Sequence, residues 1–174
     1  MKIDVCKVSR DGQPLDVGVC GEDVGELCPG ITVADAVRFK GRVARMGHDL
    51  MLRGTALGMF RARCSRCLVE FTQRFDVLVA ARYVLETAPG DSTEEDEDVS
   101  ELQFSYDGVD IDLVPPVRNE LILEAPVKPL CSPECRGLCP GCGVDLNEEV
   151  CKCEEQTVDP RLAPLKDVLG RLEL

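Results

Sequence analysis

The chain has 174 residues, a net charge of −12, eleven cysteines, one histidine and no tryptophan. That length suits one domain, or one domain with a small appendage, and 44% hydrophobic with 30% charged residues is a globular composition. The charge excludes a simple basic nucleic-acid binder, and no uncharged run is long enough to span a bilayer.

Met1 to Val5 runs straight into charged residues with no signal-like apolar stretch, so a soluble cytosolic protein is expected. In that compartment closely spaced cysteines point to metal more often than to disulfides. The acidic average hides a polarity. Val37 to Arg82 carries ten basic and three acidic residues, whereas Tyr83 to Asp112 carries eleven acidic and none basic.

From Met1 to Val33, glycines and turn residues separate what read as short strands. From Val37 to Leu85 the side chains alternate with the period of antiparallel β-structure. Val37, Phe39, Gly41 and Val43 share one face, as do Phe60, Ala62 and Cys64, and Phe71, Phe75, Val77, Val79, Ala81 and Tyr83. The opposite face then collects Arg38, Lys40, Arg42, Arg61, Arg63, Arg74 and Arg82. A row of this kind suits phosphate contact, and it equally suits an ordinary wet sheet face.

Residues 88–101 form an acidic, low-complexity stretch that reads as a solvated loop. Asp112 fits the N-cap of a following helix, and Pro115 and Pro116 fit a first turn whose amides need no partner. Val117, Leu121 and Ala125 form its apolar stripe, and Pro126 stops it. Asp159-Pro160 opens a second short helix, with Leu162, Leu165, Val168 and Leu169 as its stripe. The expected fold is α+β: an antiparallel β-rich core over residues 1–130, and a cysteine-rich zinc knot with a C-terminal helix over residues 131–174, packed on that core.

Eight cysteines fall in four close pairs: Cys64/Cys67, Cys131/Cys135, Cys139/Cys142 and Cys151/Cys153. Leu138-Cys139-Pro140-Gly141-Cys142-Gly143 has the shape of a zinc knuckle, in which a tight turn aims two thiolates at one ion and Gly143 takes the left-handed conformation that closes it. Tetrahedral zinc takes four ligands, so four pairs make two sites. Joining Cys139, Cys142, Cys151 and Cys153 locally strains the chain least. Cys64, Cys67, Cys131 and Cys135 would then staple the sheet to the tail, although other partitions are open. A single site can contribute on the order of 10 kcal/mol to folding, comparable to the whole stability of a domain. Cys6, Cys20 and Cys28 have no close-spaced partner and read as incidental thiols.

Catalytic signals are weak. The one histidine, His48, lies in a turn-like Gly-His-Asp stretch, so no triad has a choice of partners. No P-loop or dinucleotide fingerprint occurs. A thioredoxin-like role for Cys64/Cys67 needs a helix N-terminus, but the residues after Cys67 alternate as a strand. The usual iron–sulfur spacings are not matched.

Four segments carry a resemblance: CSRCLVEF (Cys64 to Phe71), LVPPVRNELILEAPVKPLC (Leu113 to Cys131), CRGLCPGCGVDLN (Cys135 to Asn147) and DPRLAPLKDVL (Asp159 to Leu169). Together they are similar to the YceD family of large ribosomal RNA subunit accumulation proteins. The resemblance implies a cytosolic ribosome biogenesis factor supporting accumulation of 23S rRNA and hands over no reaction; the expected role is non-catalytic, with ribosomal RNA or a ribosomal protein as partner. It also favours Cys64, Cys67, Cys131 and Cys135 as the shared site, with the local knot as an elaboration. The competing expectations are a zinc-containing protein–protein adaptor that acts on rRNA indirectly and a metal-dependent or redox enzyme. Few aromatics argue against a stacking platform for single strands.

Overall fold

The computed structural model describes residues 1–86 and 102–153. Nine strands dominate: β1 (Lys2–Asp4), β2 (Gln13–Cys20), β3 (Glu26–Cys28), β4 (Ile31–Val33), β5 (Ala36–Met46), β6 (Asp49–Arg63), β7 (Glu70–Leu85), β8 (Leu102–Tyr106) and β9 (Asp110–Asp112). The described residues also hold two α-helices, the single turn α1 (Gly21–Val24) and α2 (Val114–Glu124). The expected C-terminal helix and the acidic stretch at 88–101 lie outside the described residues. The turn α1 carried no sequence signal, being only four residues long.

β2, β5, β6 and β7 are antiparallel neighbours, as the alternation predicts. The fifteen-residue β6 is long enough to share one edge between β5, paired at Asp49 to Leu57, and β4, paired at Phe60 to Ala62. β8 adds to β7 in parallel, a departure from the antiparallel expectation. The reason is the length of the connection. Hairpins need only a few residues, whereas parallel neighbours need a crossover of a dozen or more, and residues 86–101 separate the two strands. β1 and β9 form a separate two-stranded ribbon.

The predicted inner face is the core. Val37, Phe39, Val43, Phe60, Val79, Ala81 and Tyr83 are all buried, and Val117, Leu121 and Ala125 of α2 pack against them. Burial of this aliphatic and aromatic surface is what holds the sheet and α2 together, at roughly 1.5–3 kcal/mol for each large side chain. Phe39 needs space between strands. Its ring tip would lie 2.5 Å from a β-carbon at Gly54 and 2.9 Å from one at Gly41, so this cross-strand glycine pair admits the ring. The Tyr83 hydroxyl donates to the Asp112 carbonyl at 2.6 Å and the Tyr106 hydroxyl to the His48 carbonyl at 2.8 Å, pinning β7 to the start of α2 and β8 to the β5–β6 turn. Burial pushes the Tyr83 hydroxyl well above its usual range, so it stays a donor.

α2 starts one residue later than a cap at Asp112 requires. Leu113 occupies the N-cap position with no side-chain bond. Asp112 still accepts from the Val114 amide at 3.1 Å, but it is also held by the N-terminal amine of Met1 at 2.9 Å. With prolines at the next two positions the first turn presents fewer donors, so a formal side-chain cap is dispensable. The helix ends with Ala125 as C-cap, before Pro126.

Candidate metal centre and basic sheet face

The Cys64–Cys67 turn joins β6 to β7, and the Cys139–Cys142 turn stands in the tail. They are geometric copies. In each, the residue after the second cysteine is left-handed: Leu68 at φ 61° and Gly143 at φ 76°. In each, that residue's amide donates to the first cysteine's carbonyl, at 3.0 and 2.9 Å, and the first cysteine's amide donates to the residue beyond, Val69 or Val144, at 2.9 and 2.8 Å. In each, an amide two residues on donates to the first sulfur, Arg66 to Cys64 and Gly141 to Cys139, both at 3.4 Å. Leucine tolerates the left-handed region at a cost of roughly 1–2 kcal/mol, so the turn must be fixed by what it binds and packs against.

The partition follows the local pairing. Cys64, Cys67, Cys131 and Cys135 bring their sulfurs within 4.8 Å of one another, and so do Cys139, Cys142, Cys151 and Cys153. Cys64 lies 3.8 Å from Cys135 and Cys67 3.5 Å from Cys131. In the second group Cys151 lies 3.2 Å from Cys139 and 3.7 Å from Cys142. A tetrahedron with metal–sulfur bonds of 2.3 Å spaces its sulfurs by about 3.8 Å, so both groups fit a metal of that size. Four cysteine donors in each group could hold a soft, tetrahedral metal ion. Cys6, Cys20 and Cys28 join neither group.

The first group clasps the tail to the sheet. Cys64 and Cys67 are buried at the end of β6, and Cys135 is buried against them with Phe71, Leu130 and Leu138 around. The Ser65 amide and hydroxyl both donate to the Pro129 carbonyl, at 2.9 and 3.0 Å. Arg66 Nη1 donates to the Cys135 carbonyl at 2.8 Å. The second group is more open, with Cys142 and Cys153 exposed.

Both groups hold one acidic thiol. At Cys64 burial pushes the thiol up, but the amides of Cys67, Cys131 and Arg66 outweigh it and hold the thiol down to about 6. The Cys142 amide, the Cys151 thiol and the Gly141 amide hold Cys139 down to about 6. Their neighbours move the other way. The Cys67 thiol and burial push Cys131 up to about 12, and the Cys151 and Cys142 thiols push Cys153 up to about 12. At Cys67 the Val69 amide pulls down, yet burial and the Cys64 and Cys135 thiols leave it raised; at Cys151 the Cys153 amide pulls down, yet the Cys139 and Cys142 thiols leave it raised. One thiolate is therefore ready at pH 7.5 in each group, while Cys67 and Cys131, or Cys151 and Cys153, still carry protons that an incoming cation must displace. Zinc added to the metal-free chain at pH 7.5 in weak buffer should release at least two protons per ion, and affinity should fall as pH is lowered, because protonation competes with the metal. Proton release below two per ion, read with an indicator dye, contradicts this.

The seven predicted cations lie on the outer face of β5, β6 and β7, opposite the core residues. They are less free than their alternation implies. Arg38 grips Asp16 of β2 through both carboxylate oxygens, at 2.8 and 2.7 Å, and this hydrogen bond holds Asp16 below the usual carboxylate range. Arg63 pairs with Glu70 at 3.3 Å, Arg82 with Asp49 at 2.6 Å, and Arg61 donates to the Ala34 carbonyl at 3.3 Å. Lys40, Arg42 and Arg74 stand exposed on the same face. The sequence reading passed over Arg53, which faces Arg42 across the β5–β6 pair. Its odd-numbered position in β6, shared with Arg61 and Arg63, was the available signal. It also passed over Leu78, 78% exposed at the centre of this face. Every phenylalanine and tyrosine is in or against the core. No helix among the described residues is long and apolar enough to cross a membrane.

A family model described as large ribosomal RNA subunit accumulation protein YceD matches residues 52–169. An uncharacterized protein of Mycobacterium tuberculosis is 34% identical over 129 residues, which cover 74% of this chain and 60% of that protein. The chain thus matches about 60% of the length of the mycobacterial relatives. YlbN, an uncharacterized protein of Bacillus subtilis, is 29% identical over 134 residues, 76% of this chain and 74% of its own. An Arabidopsis thaliana protein named large ribosomal RNA subunit accumulation protein YCED homolog 1, chloroplastic, is 28% identical over 72 residues, 41% of this chain and 22% of its own. No solved structure matches.

Proposed function

This chain belongs to the YceD family, and we propose that it is a non-catalytic ribosome biogenesis factor that supports 23S rRNA accumulation and large-subunit assembly in the cytoplasm, its tail held to its sheet by structural zinc. The observation that carries the reading is the pair of four-sulfur groups. Two all-cysteine shells leave no ligand position of the kind catalytic zinc keeps open. In this reading zinc neutralises thiolate charge and fixes two turns, and the remaining chemistry belongs to the outer sheet face.

That face is the proposed nucleic-acid contact, through Arg38, Lys40, Arg42, Arg61, Arg63, Arg74 and Arg82, with Arg53 added. Eight cations against Asp16, Asp49, Glu70 and Asp76 leave it positive in a strongly acidic protein. A face with no aromatic ring suits phosphate and shape recognition of folded RNA rather than base stacking. The names of the plant relatives, which specify large-subunit rRNA accumulation, point to the same class of RNA. A second reading, a protein–protein adaptor for a ribosomal protein, is favoured by Leu78, an exposed aliphatic side chain on this face. Crosslinking in cells, followed by sequencing of bound RNA and mass spectrometry of bound protein, separates the two. Large-subunit RNA joined to peptides of β5 to β7 supports the first reading. Protein adducts that survive nuclease, with no RNA on those strands, would establish the second.

A further inference from the structure

One side chain beyond the second cysteine turn reaches back to the first cysteine group. Asn147 follows the second turn, and its amide bridges back to the first group. Its Oδ1 accepts from the Arg136 amide at 2.8 Å, which fixes which end of the side chain is nitrogen. Its Nδ2 then donates to the Cys135 sulfur at 3.4 Å and to Asp145 Oδ1 at 2.6 Å. Asn147 stands there because the hairpin of the second group closes. Leu138 and Asp145 bridge its strands, the Leu146 amide donates to the Gly137 carbonyl at 2.9 Å, and the Cys139 amide donates to the Val144 carbonyl.

The hairpin base is also pressed against the first turn. The Leu138 amide donates to the Arg66 carbonyl at 3.2 Å, and a β-carbon at Gly137 would sit 3.0 Å from that same oxygen, so only glycine passes here at its φ of 78°. Three residues separate Cys135, a ligand of the first group, from Cys139, a ligand of the second.

We propose that the two groups form one coupled metal centre, in which metal in the second closes the 137–146 hairpin and thereby sets Asn147 as a hydrogen-bond donor to the Cys135 thiolate of the first. The inference rests on both groups holding metal. Asn147 is a positioning residue: a donor on a ligating sulfur holds that sulfur's orientation, and such outer partners change metal affinity about 10–100-fold. Because coupling between two binding events is reciprocal, metal in the first group must favour loading of the second by the same factor.

The test uses the full chain, zinc and a competing chelator, with occupancy of the first group read by mass spectrometry as protection of Cys64 and Cys131 from alkylation. Cys142→Ser with Cys153→Ser disables the second group; Asn147→Ala leaves all eight sulfurs in place and reports even where the double variant unravels. Each should weaken zinc binding at the first group about tenfold or more. Combining them should cost no more than the larger single loss, because both remove the same hydrogen bond. Affinity at the first group within twofold of the unaltered chain in Asn147→Ala, or losses that multiply in the combination, overturns the coupling while leaving two independent metal sites. Absence of zinc from both groups overturns the metal reading itself and the coupling with it.

Discussion

Replacing Arg61, Arg63 and Arg74 together by glutamate is expected to abolish binding to large-subunit RNA at physiological salt. The substitution puts three negative charges where phosphates would meet three positive ones. Backbone contacts carry most of a non-specific affinity, and each lost cation flattens the salt dependence by about one power of the salt concentration. Affinity should therefore fall by at least about a hundredfold and the slope by about three. The fold should survive. Arg63 loses only an exposed pair with Glu70, and Arg61 a single exposed bond to a carbonyl; exposed pairs of this kind contribute roughly 0–1 kcal/mol. The measurement is a salt titration of binding to isolated large-subunit RNA, with thermal melting as the control. Unchanged affinity in a protein that melts normally removes the outer face from the account.

Replacing Cys67 and Cys135 by serine should have the largest effect on stability. Cys64 and Cys135 are 71 positions apart, so the first group closes a long loop, whereas the second closes within a short one. Losing the first clasp should lower stability by about 5 kcal/mol, a large share of what a domain has, and the melting temperature by about 10–20 °C. A protease should then cut between Pro126 and Cys153, where the hydrogen bonds of Ser65 and Arg66 and the packing of Leu130 and Leu138 are left to tie the chain to the β6–β7 turn. Cys142→Ser should cost less, and Cys20→Ser, at an exposed thiol outside both groups, should change stability by no more than about 0.5 kcal/mol. Equal melting temperatures for all three variants contradict the clasp.

Much of this architecture was legible because it depends on local periodicity. Val37 to Val43 and Phe75 to Tyr83 alternate cleanly, and a period of two fixes which residues face inward. The α2 stripe of Val117, Leu121 and Ala125 was legible for the same reason, as was the local pairing of Cys139 with Cys151. What escaped depends on residues distant in sequence. Nothing near Arg38 announces that Asp16, on another strand, will neutralise it, and nothing near Arg82 announces Asp49. The parallel β8 escaped because five residues carry too short a pattern to set direction. Leu68 concealed the likeness of the two turns. A glycine there would have marked the Cys64–Cys67 turn as a knuckle, but the left-handed backbone is imposed on leucine by the surrounding hydrogen bonds. The bridge at Asn147 is legible only once Cys135 and the hairpin are placed in space.

The measurement that bears most directly on the whole account is metal analysis of the purified full chain combined with X-ray absorption at the metal edge. The account predicts two zinc ions per chain, each surrounded by four sulfurs at about 2.3 Å. A chain that folds to the same melting temperature with no bound metal, or zinc with oxygen or nitrogen in its shell, would contradict it.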